Sequence, residues 1–248
     1  METILIVAEG VKAESEIIDN IKKVFFDNKI IIKILYGTCI YDFYKKKKIS
    51  GDDFETIEVL RELSDENKKI LKDIKRNQVS SIFLFFDQDS HATNYSKNKL
   101  IEMLDFFDDE YEQGKLFISY PMVEDIRDIN NLNKIYEKNM CYWNVKENKK
   151  YKKYASNIIR SISYISIYEN YDINIWKIIC RYNWIKANFL INNIFLLPCY
   201  DELVNFSQKL IFTKEYILME NSKIITLSAF PFFLVYYFNK RFIENNFY

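Results

Sequence analysis

Two short stretches place carboxylates where they could bind a metal ion. Asp87-Gln88-Asp89 follows the apolar run 81–86, and the single histidine of the chain, His91, comes two residues later. Glu9-Gly10 follows another apolar run, 3–8. Aspartates one residue apart at a strand end can project toward a common ion, and carboxylate oxygens are the ligands that Mg²⁺ prefers. The pattern predicts a site for Mg²⁺ or Mn²⁺, with Glu9 as a further ligand or as the group that transfers a proton.

The elements around these residues alternate between strands and helices. Apolar runs predict strands at 3–8, 30–35, 81–86 and 116–120, and helical spacing of apolar residues predicts helices at 13–26, 54–74 and 97–107. This alternation predicts an α/β fold with a largely parallel sheet flanked by helices. Functional residues in such sheets lie just past the carboxyl ends of the strands, where Glu9, Asp87 and Glu124 are expected.

Each acidic residue also has a structural interpretation. Aspartates after a buried strand are common in turns and helix caps. Glu14 in the first turn of a predicted helix, and Glu124 at another predicted helix start, would interact favourably with a helix dipole. His91 could transfer a proton, bind a phosphate or simply cap a loop or helix. The sequence leaves both interpretations open.

Lysines form a second candidate feature, for binding nucleic acid. Lys149, Lys150, Lys152 and Lys153 alternate with tyrosines, and Lys12 lies close to Glu9-Gly10 in sequence. Such a run could hold a phosphate backbone while an aromatic ring stacks on a base. A solvated helix face or a linker would have the same composition.

Composition limits the classes of protein to consider. Lys plus Arg and Asp plus Glu both number 35, so no global positive charge indicates nucleic-acid binding. Up to Lys150 there are 24 basic and 28 acidic residues (net −4), against 11 and 7 (net +4) beyond it. The four cysteines form no CxxC pair, which predicts buried reduced thiols in a cytoplasmic protein. The longest apolar stretch is short of a membrane span.

The composition changes in the second half of the chain. Aromatic-rich segments without strand-like punctuation predict an α-helical subdomain of four or five helices, including a closing helix at 224–242. On one predicted helix, Trp176, Ile179, Cys180, Asn183 and Ala187 share a face. We therefore expect a catalytic domain at 1–150 and a helical subdomain at 151–248.

Three stretches, ILIVAEG, ILYGT and SIFLFFDQD, together resemble the Toprim domain of topoisomerases, bacterial primases and small nucleases. In the family pattern a glutamate and a glycine end the first strand, and an acidic DxD ends a later strand. The resemblance implies that Glu9 is a general acid or base and that Asp87 and Asp89 bind the metal. His91, after the DxD, is a further catalytic candidate.

Two other stretches, EGVKAE and ISYPMVEDI, are similar to Toprim-like abortive-infection proteins of the RloB type. This similarity implies additional acidic positions at Glu14 and Glu124, although Ala13 stands where the pattern has threonine. The toprim effector of PARIS phage-defence systems is a looser relative of the same kind. The resemblance covers residues 1–130.

The resemblance implies a Mg²⁺-dependent nuclease that hydrolyses DNA or RNA, with transfer RNA among the candidates, as an antiphage effector. It also implies an ATPase partner, and a homodimer would suit the fold. A non-catalytic Toprim-like subunit that recruits such a partner is the alternative. A phosphatase of the haloacid dehalogenase type also uses a strand-end DxD, but Ser90-His91 departs from its pattern and the early Glu9-Gly10 favours Toprim.

Overall fold

The computed structural model describes residues 3–10, 12–26, 31–36, 40–50, 55–88, 95–129, 142–161 and 167–248. The chain divides into two compact units, Met1–Phe117 and Ile118–Tyr248. The boundary at Phe117 falls within the strand Gly114–Ser119, two residues before its end. Among the described residues, no helix is long and apolar enough to cross a membrane.

The first unit alternates strands and helices along the chain. Its strands are β1 (Thr3–Ala8), β2 (Ile31–Tyr36), β3 (Val79–Asp87), β4 (Asp108–Asp109) and β5 (Gly114–Ser119), and its helices are α1 (Ala13–Phe25), α2 (Ile40–Ser50), α3 (Thr56–Leu63), α4 (Asp65–Leu71) and α5 (Lys97–Phe106).

The strands form one sheet in the order β2-β1-β3-β5-β4. β1 pairs in parallel with both β2 and β3, whereas β4 and β5 pair antiparallel. All six residues of β1 are buried, as expected for a central strand covered on both faces. The predicted α/β fold with a largely parallel sheet is confirmed.

The predicted single helix at 54–74 is wrong. The described part of this segment forms two helices, α3 and α4, which meet at Ser64. Ser64 has an extended backbone, and its hydroxyl accepts a hydrogen bond from the Asn67 amide at 3.1 Å, which caps α4. A serine cap therefore begins a new helix where continuous helical spacing of apolar residues suggested one element.

The second unit is largely helical. It contains two strands, β6 (Tyr142–Asn144) and β7 (Lys223–Ile225), and the helices α6 (Asn148–Ser161), α7 (Ile173–Asn192), α8 (Tyr200–Leu203), α9 (Gln208–Met219), α10 (Ala229–Tyr237) and α11 (Lys240–Phe247). Its described residues thus hold six helices, one a single turn, rather than four or five. On α7, the five residues predicted to share a face are all buried.

A small antiparallel sheet of β6 and β7 organises part of this unit. Successive side chains of a strand point to opposite faces of the sheet. Tyr142 lies against Phe189 of α7, with ring centroids 6.1 Å apart, whereas Trp143 lies against Tyr151 of α6 at 4.9 Å. The sheet therefore packs α7 on one face and α6 on the other.

The predicted closing helix at 224–242 is also wrong. The segment begins in strand β7, continues through a short connection to α10, and ends in α11, which Asn239 caps through the Phe242 amide. Pro231 lies in the first turn of α10, where its missing N–H costs no helical hydrogen bond. Cys180 is buried as expected, but Cys199 is exposed.

Candidate functional site

The first two predicted strand-end carboxylates lie next to each other. β1 and β3 run parallel with Ala8 opposite Phe85, and the Glu9 amide continues the pairing by donating to the Phe85 carbonyl at 3.2 Å. Glu9 Oε2 accepts a hydrogen bond from the Asp87 amide at 3.3 Å. Both residues are half-buried. The end of the central sheet therefore brings together Glu9 and Asp87, as their positions after neighbouring parallel strands predict.

The turn after β1 is held by Glu14. Its Oε1 accepts a hydrogen bond from the Gly10 amide at 2.9 Å, and the side chain is buried. A Cβ on residue 10 would overlap the Glu14 carboxylate, so a larger residue there would have to displace that side chain and its hydrogen bond. Glu14 lies in the first turn of α1, where the helix dipole favours a negative charge. One carboxylate thus joins the start of α1 to the turn that carries Glu9.

The remaining acidic candidate in this stretch lies beyond the described residues. β3 ends at Asp87, and Gln88 follows with a buried side chain. Asp89 and His91 fall within 89–94, outside the described residues. The described part of the site therefore consists of Glu9, Asp87 and the supporting Glu14.

Glu124 belongs to the second unit, in a 3-10 turn at Val123–Arg127. Its side chain is buried, and its Oε1 lies 2.8 Å from Nζ of Lys152, which is 74% exposed. The sequence assigned these residues to different roles, a metal site and a nucleic-acid surface. The structure makes the lysine the counter-ion of the carboxylate.

The other predicted nucleic-acid-binding lysines are exposed. Lys149, Lys150 and Lys153 project from α6, and Lys12 precedes α1. Lys150 Nζ lies 2.9 Å from Oε1 of Glu147 one turn earlier, an exposed pair that contributes little stability. These side chains are available to a ligand.

A buried polar network in the second unit was not foreseen. Asp128 Oδ2 accepts hydrogen bonds from Thr226 Oγ1 at 2.8 Å and from the Tyr151 hydroxyl at 3.2 Å. The Thr226 hydroxyl in turn accepts from Lys186 Nζ at 3.1 Å. Burial, followed by the charges of Asp128 and Asp125, raises the pKa of Tyr151 well above its ordinary value, so its hydroxyl stays protonated.

This network joins α6 and α7 to Thr226, the residue that follows β7. Its members are separated by as many as 98 residues in sequence, and Lys186 and Thr226 carry no local motif. Sequence spacing offered no signal for it, because the contacts depend on tertiary pairing.

The two carboxylates at the carboxyl ends of β1 and β3 are suitable ligands for a hard divalent cation. Two carboxylates from adjacent strand ends are the kind of ligand through which proteins hold Mg²⁺, with water and substrate phosphates completing the shell. Among the described residues, which leave out Asp89 and His91, no group of three or more acidic, histidine or cysteine side chains is placed to hold a metal. Glu9 and Asp87 thus provide the described part of an acidic site.

Comparisons of the chain with protein-family models, curated proteins and solved structures find no match. The Toprim resemblance accordingly rests on the sequence stretches that carry it, and the activity of the site is a matter for proposal.

Proposed function

We propose that the chain is a Mg²⁺- or Mn²⁺-dependent nuclease of the Toprim kind, which hydrolyses phosphodiester bonds of DNA or RNA. The observation that carries the proposal is the hydrogen bond between Glu9 Oε2 and the Asp87 amide. It places a candidate proton-transfer group beside a candidate metal ligand at the carboxyl end of a parallel sheet, where functional residues of such folds gather.

Each residue has a stated role in this proposal. Asp87, together with Asp89, holds the divalent ion, and Glu9 takes or gives the proton of the hydrolytic step. The ion, when bound, supplies charge stabilisation at the phosphate and lowers the pKa of an attacking water. Glu14 is a positioning residue, because its bond to the Gly10 amide fixes the turn after Glu9. His91 is a candidate for binding the phosphate.

The biological setting comes from the resemblance alone. It suggests an antiphage effector of the abortive-infection kind in the cytoplasm that works beside an ATPase partner. A homodimer is compatible with a fold of this type. Glu124, paired with Lys152, is a separate acidic position whose contribution to metal binding the same assays can measure.

A second candidate function is a non-catalytic subunit that recruits a partner through its second unit. Five large aliphatic side chains among the described residues of this unit are about half exposed or more, namely Ile167, Ile194, Leu196, Val204 and Ile217. Exposed apolar surface often marks protein contacts. This function predicts partner binding without any metal-dependent cleavage.

The deciding experiment incubates the purified full chain with Mg²⁺ or Mn²⁺ and with single-stranded DNA, duplex DNA and transfer RNA. Glu9→Gln and Asp87→Asn change one charge each with little change in shape. We expect metal-dependent cleavage that falls by about 10²-fold or more in both variants. Matched controls are Glu62→Gln and Asp73→Asn, both at exposed positions of the first unit. Cleavage that survives in both site variants would contradict the proposed site.

A further inference from the structure

An exposed face of the second unit combines lysines with aromatic rings. Residues 146–153 contain five lysines and one glutamate. On α6, Lys149 and Lys153 are four residues apart, as are Lys150 and Tyr154, so these side chains lie on adjoining stripes of the helix surface. Lys149, Lys150 and Lys153 are all exposed. The helix therefore presents a concentrated positive surface within a chain of zero net charge.

Two half-buried rings lie beside these lysines. Trp143 of β6 and Tyr154 of α6 have ring centroids 4.8 Å apart with their planes inclined at 38°. Trp143 also meets the edge of Tyr151 at 4.9 Å. Tyr151 is fully buried, and its hydroxyl donates a hydrogen bond to Asp128. Trp143 and Tyr154 therefore both pack against a side chain that is held in place. The rings thus form a preorganised aromatic pair with part of its surface open to solvent.

We infer that this face, formed by Lys149, Lys150, Lys153, Trp143 and Tyr154, binds single-stranded nucleic acid. The lysines would neutralise backbone phosphates while the ring pair stacks on an unpaired base, a combination typical of proteins that bind single strands without sequence preference. In a duplex the base faces are already stacked, so the rings would have nothing to contact.

Two details sharpen the inference. Lysine presents a compact charge rather than the planar fork of arginine, so contacts should follow the backbone and tolerate any sequence. Lys152 is left out of the surface because its partner, Glu124, is a buried carboxylate, whereas Lys150 pairs only with the exposed carboxylate of Glu147, a contact that contributes little. The inference names the substrate form for the proposed nuclease and rests on that function only for the fate of the bound strand.

The first test measures affinity in EDTA, where no cleavage occurs, for oligothymidylate, oligouridylate and a mixed-sequence DNA duplex. The Lys149→Gln/Lys150→Gln/Lys153→Gln variant should lose about tenfold or more in affinity for both single strands. The slope of log affinity against log salt should shrink by about 2, since each phosphate contact of a single strand contributes roughly 0.7. Equal tight binding of the duplex would overturn the inference.

The matched control replaces three other exposed lysines by glutamine, so that the net charge changes by the same amount. Lys68, Lys69 and Lys72 are exposed lysines at and after α4, in the first unit, and their triple change to glutamine should leave affinity unaltered. An equal loss of affinity in both triple variants would show a general charge effect and would refute a specific surface.

Tryptophan fluorescence provides a test of stacking. Of the three tryptophans, Trp176 and Trp184 are fully buried, so quenching by a ligand should report on Trp143. Oligothymidylate should quench the wild-type signal, heparin should bind without quenching, and Trp143→Phe should abolish the quenching while keeping most of the affinity. Quenching that persists in Trp143→Phe, or that heparin reproduces, would overturn the assignment.

The binding test and the cleavage test fail independently. Glu62→Gln and Asp73→Asn should bind oligothymidylate as the wild type does, because they lie outside both the proposed surface and the proposed metal site. Binding and quenching without cleavage would sink the nuclease proposal and leave this surface intact. If the α6 triple variant bound single strands with normal affinity and cleaved them, the proposed surface would be refuted and the nuclease proposal would stand.

Discussion

The carboxylate of Glu9 accepts a hydrogen bond from the backbone amide of Asp87, although 78 positions separate the two residues in sequence. The candidate proton-transfer group and the candidate metal ligand are therefore tied to each other directly. Groups that share such a contact usually give non-additive effects when both are changed. We expect Glu9→Gln/Asp87→Asn to cleave no more slowly than the slower single variant, and a rate lowered by the product of the two single effects would contradict a shared site.

Replacing Gly10 should destabilise the folded protein because a Cβ at this position would overlap the Glu14 carboxylate. The φ angle of Gly10 lies outside the left-handed region, so the overlap of an added Cβ with the Glu14 carboxylate is the reason for glycine here. Gly10→Ala should displace the Glu14 carboxylate from its hydrogen bond to the residue 10 amide and lower the free energy of unfolding by about 1 kcal/mol in urea titrations. In a Glu14→Ala background the same change should cost less, and an equal cost in both backgrounds would reject the overlap as the cause.

Thr226 should matter through its hydroxyl. It donates to Asp128 at 2.8 Å and accepts from the buried Lys186 at 3.1 Å. Thr226→Val keeps the shape but removes both contacts, so the free energy of unfolding should fall by about 1–3 kcal/mol. Thr226→Ser retains the hydroxyl and is the control. If valine is tolerated as well as serine in urea unfolding, the network contributes no net stability.

Glu215 should make stability depend on pH. It is fully buried, and burial raises its pKa well above the ordinary value of about 4.5, while hydrogen bonds from the Ile225 amide and the charge of Lys186 act against this. In the folded state the carboxyl keeps a proton that the unfolded chain loses above its ordinary pKa. Unfolding then releases a proton, so the free energy of unfolding should fall as pH rises from about 4.5 toward the raised value.

Urea titrations across this pH range test the assignment. Glu215→Gln should flatten the fall in stability, because glutamine does not titrate. Glu220→Gln, at an exposed position at the end of the same helix, should keep the wild-type dependence. A wild-type slope in Glu215→Gln would place the titrating group elsewhere.

Lys152 and Lys153 are adjacent exposed lysines with different surroundings. Lys152 pairs with the buried Glu124, whereas the described residues place no ion-pair partner at Lys153. Because Lys152 is 74% exposed, water weakens the pair, and Lys152→Ala should cost no more than about 1 kcal/mol. Lys153→Ala should change the free energy of unfolding less. Equal values in urea titrations would remove any structural role for the pair.

Much of the first unit could be predicted from the sequence. β1 falls where the wholly apolar run predicts it, because a central strand buried on both faces has no polar positions. Glu9 and Asp87 lie next to each other as expected, since the carboxyl ends of neighbouring parallel strands lie on the same side of the sheet. The break at Ser64 was missed because Ser64 ends one helix and caps the next without any glycine or proline to mark the change.

The second unit was harder to predict for physical reasons. The segment 224–242 is apolar on nearly all sides, so it shows no periodicity that separates strand β7 from helix α10. Lys186 looks like a surface residue in sequence, yet it is buried against the Thr226 hydroxyl. The pairing of Glu124 with Lys152 likewise depends on how α6 packs against the turn at Val123–Arg127, which local spacing does not encode.

The most direct test of the central claim is to measure the binding of Mn²⁺ to the full chain, either by calorimetry or from the electron paramagnetic resonance signal of free Mn²⁺. The account predicts saturable binding that is weakened strongly by Asp87→Asn and by Glu9→Gln, and left unchanged by Asp73→Asn and Glu62→Gln. Wild-type affinity in both site variants would contradict a metal site at the ends of β1 and β3.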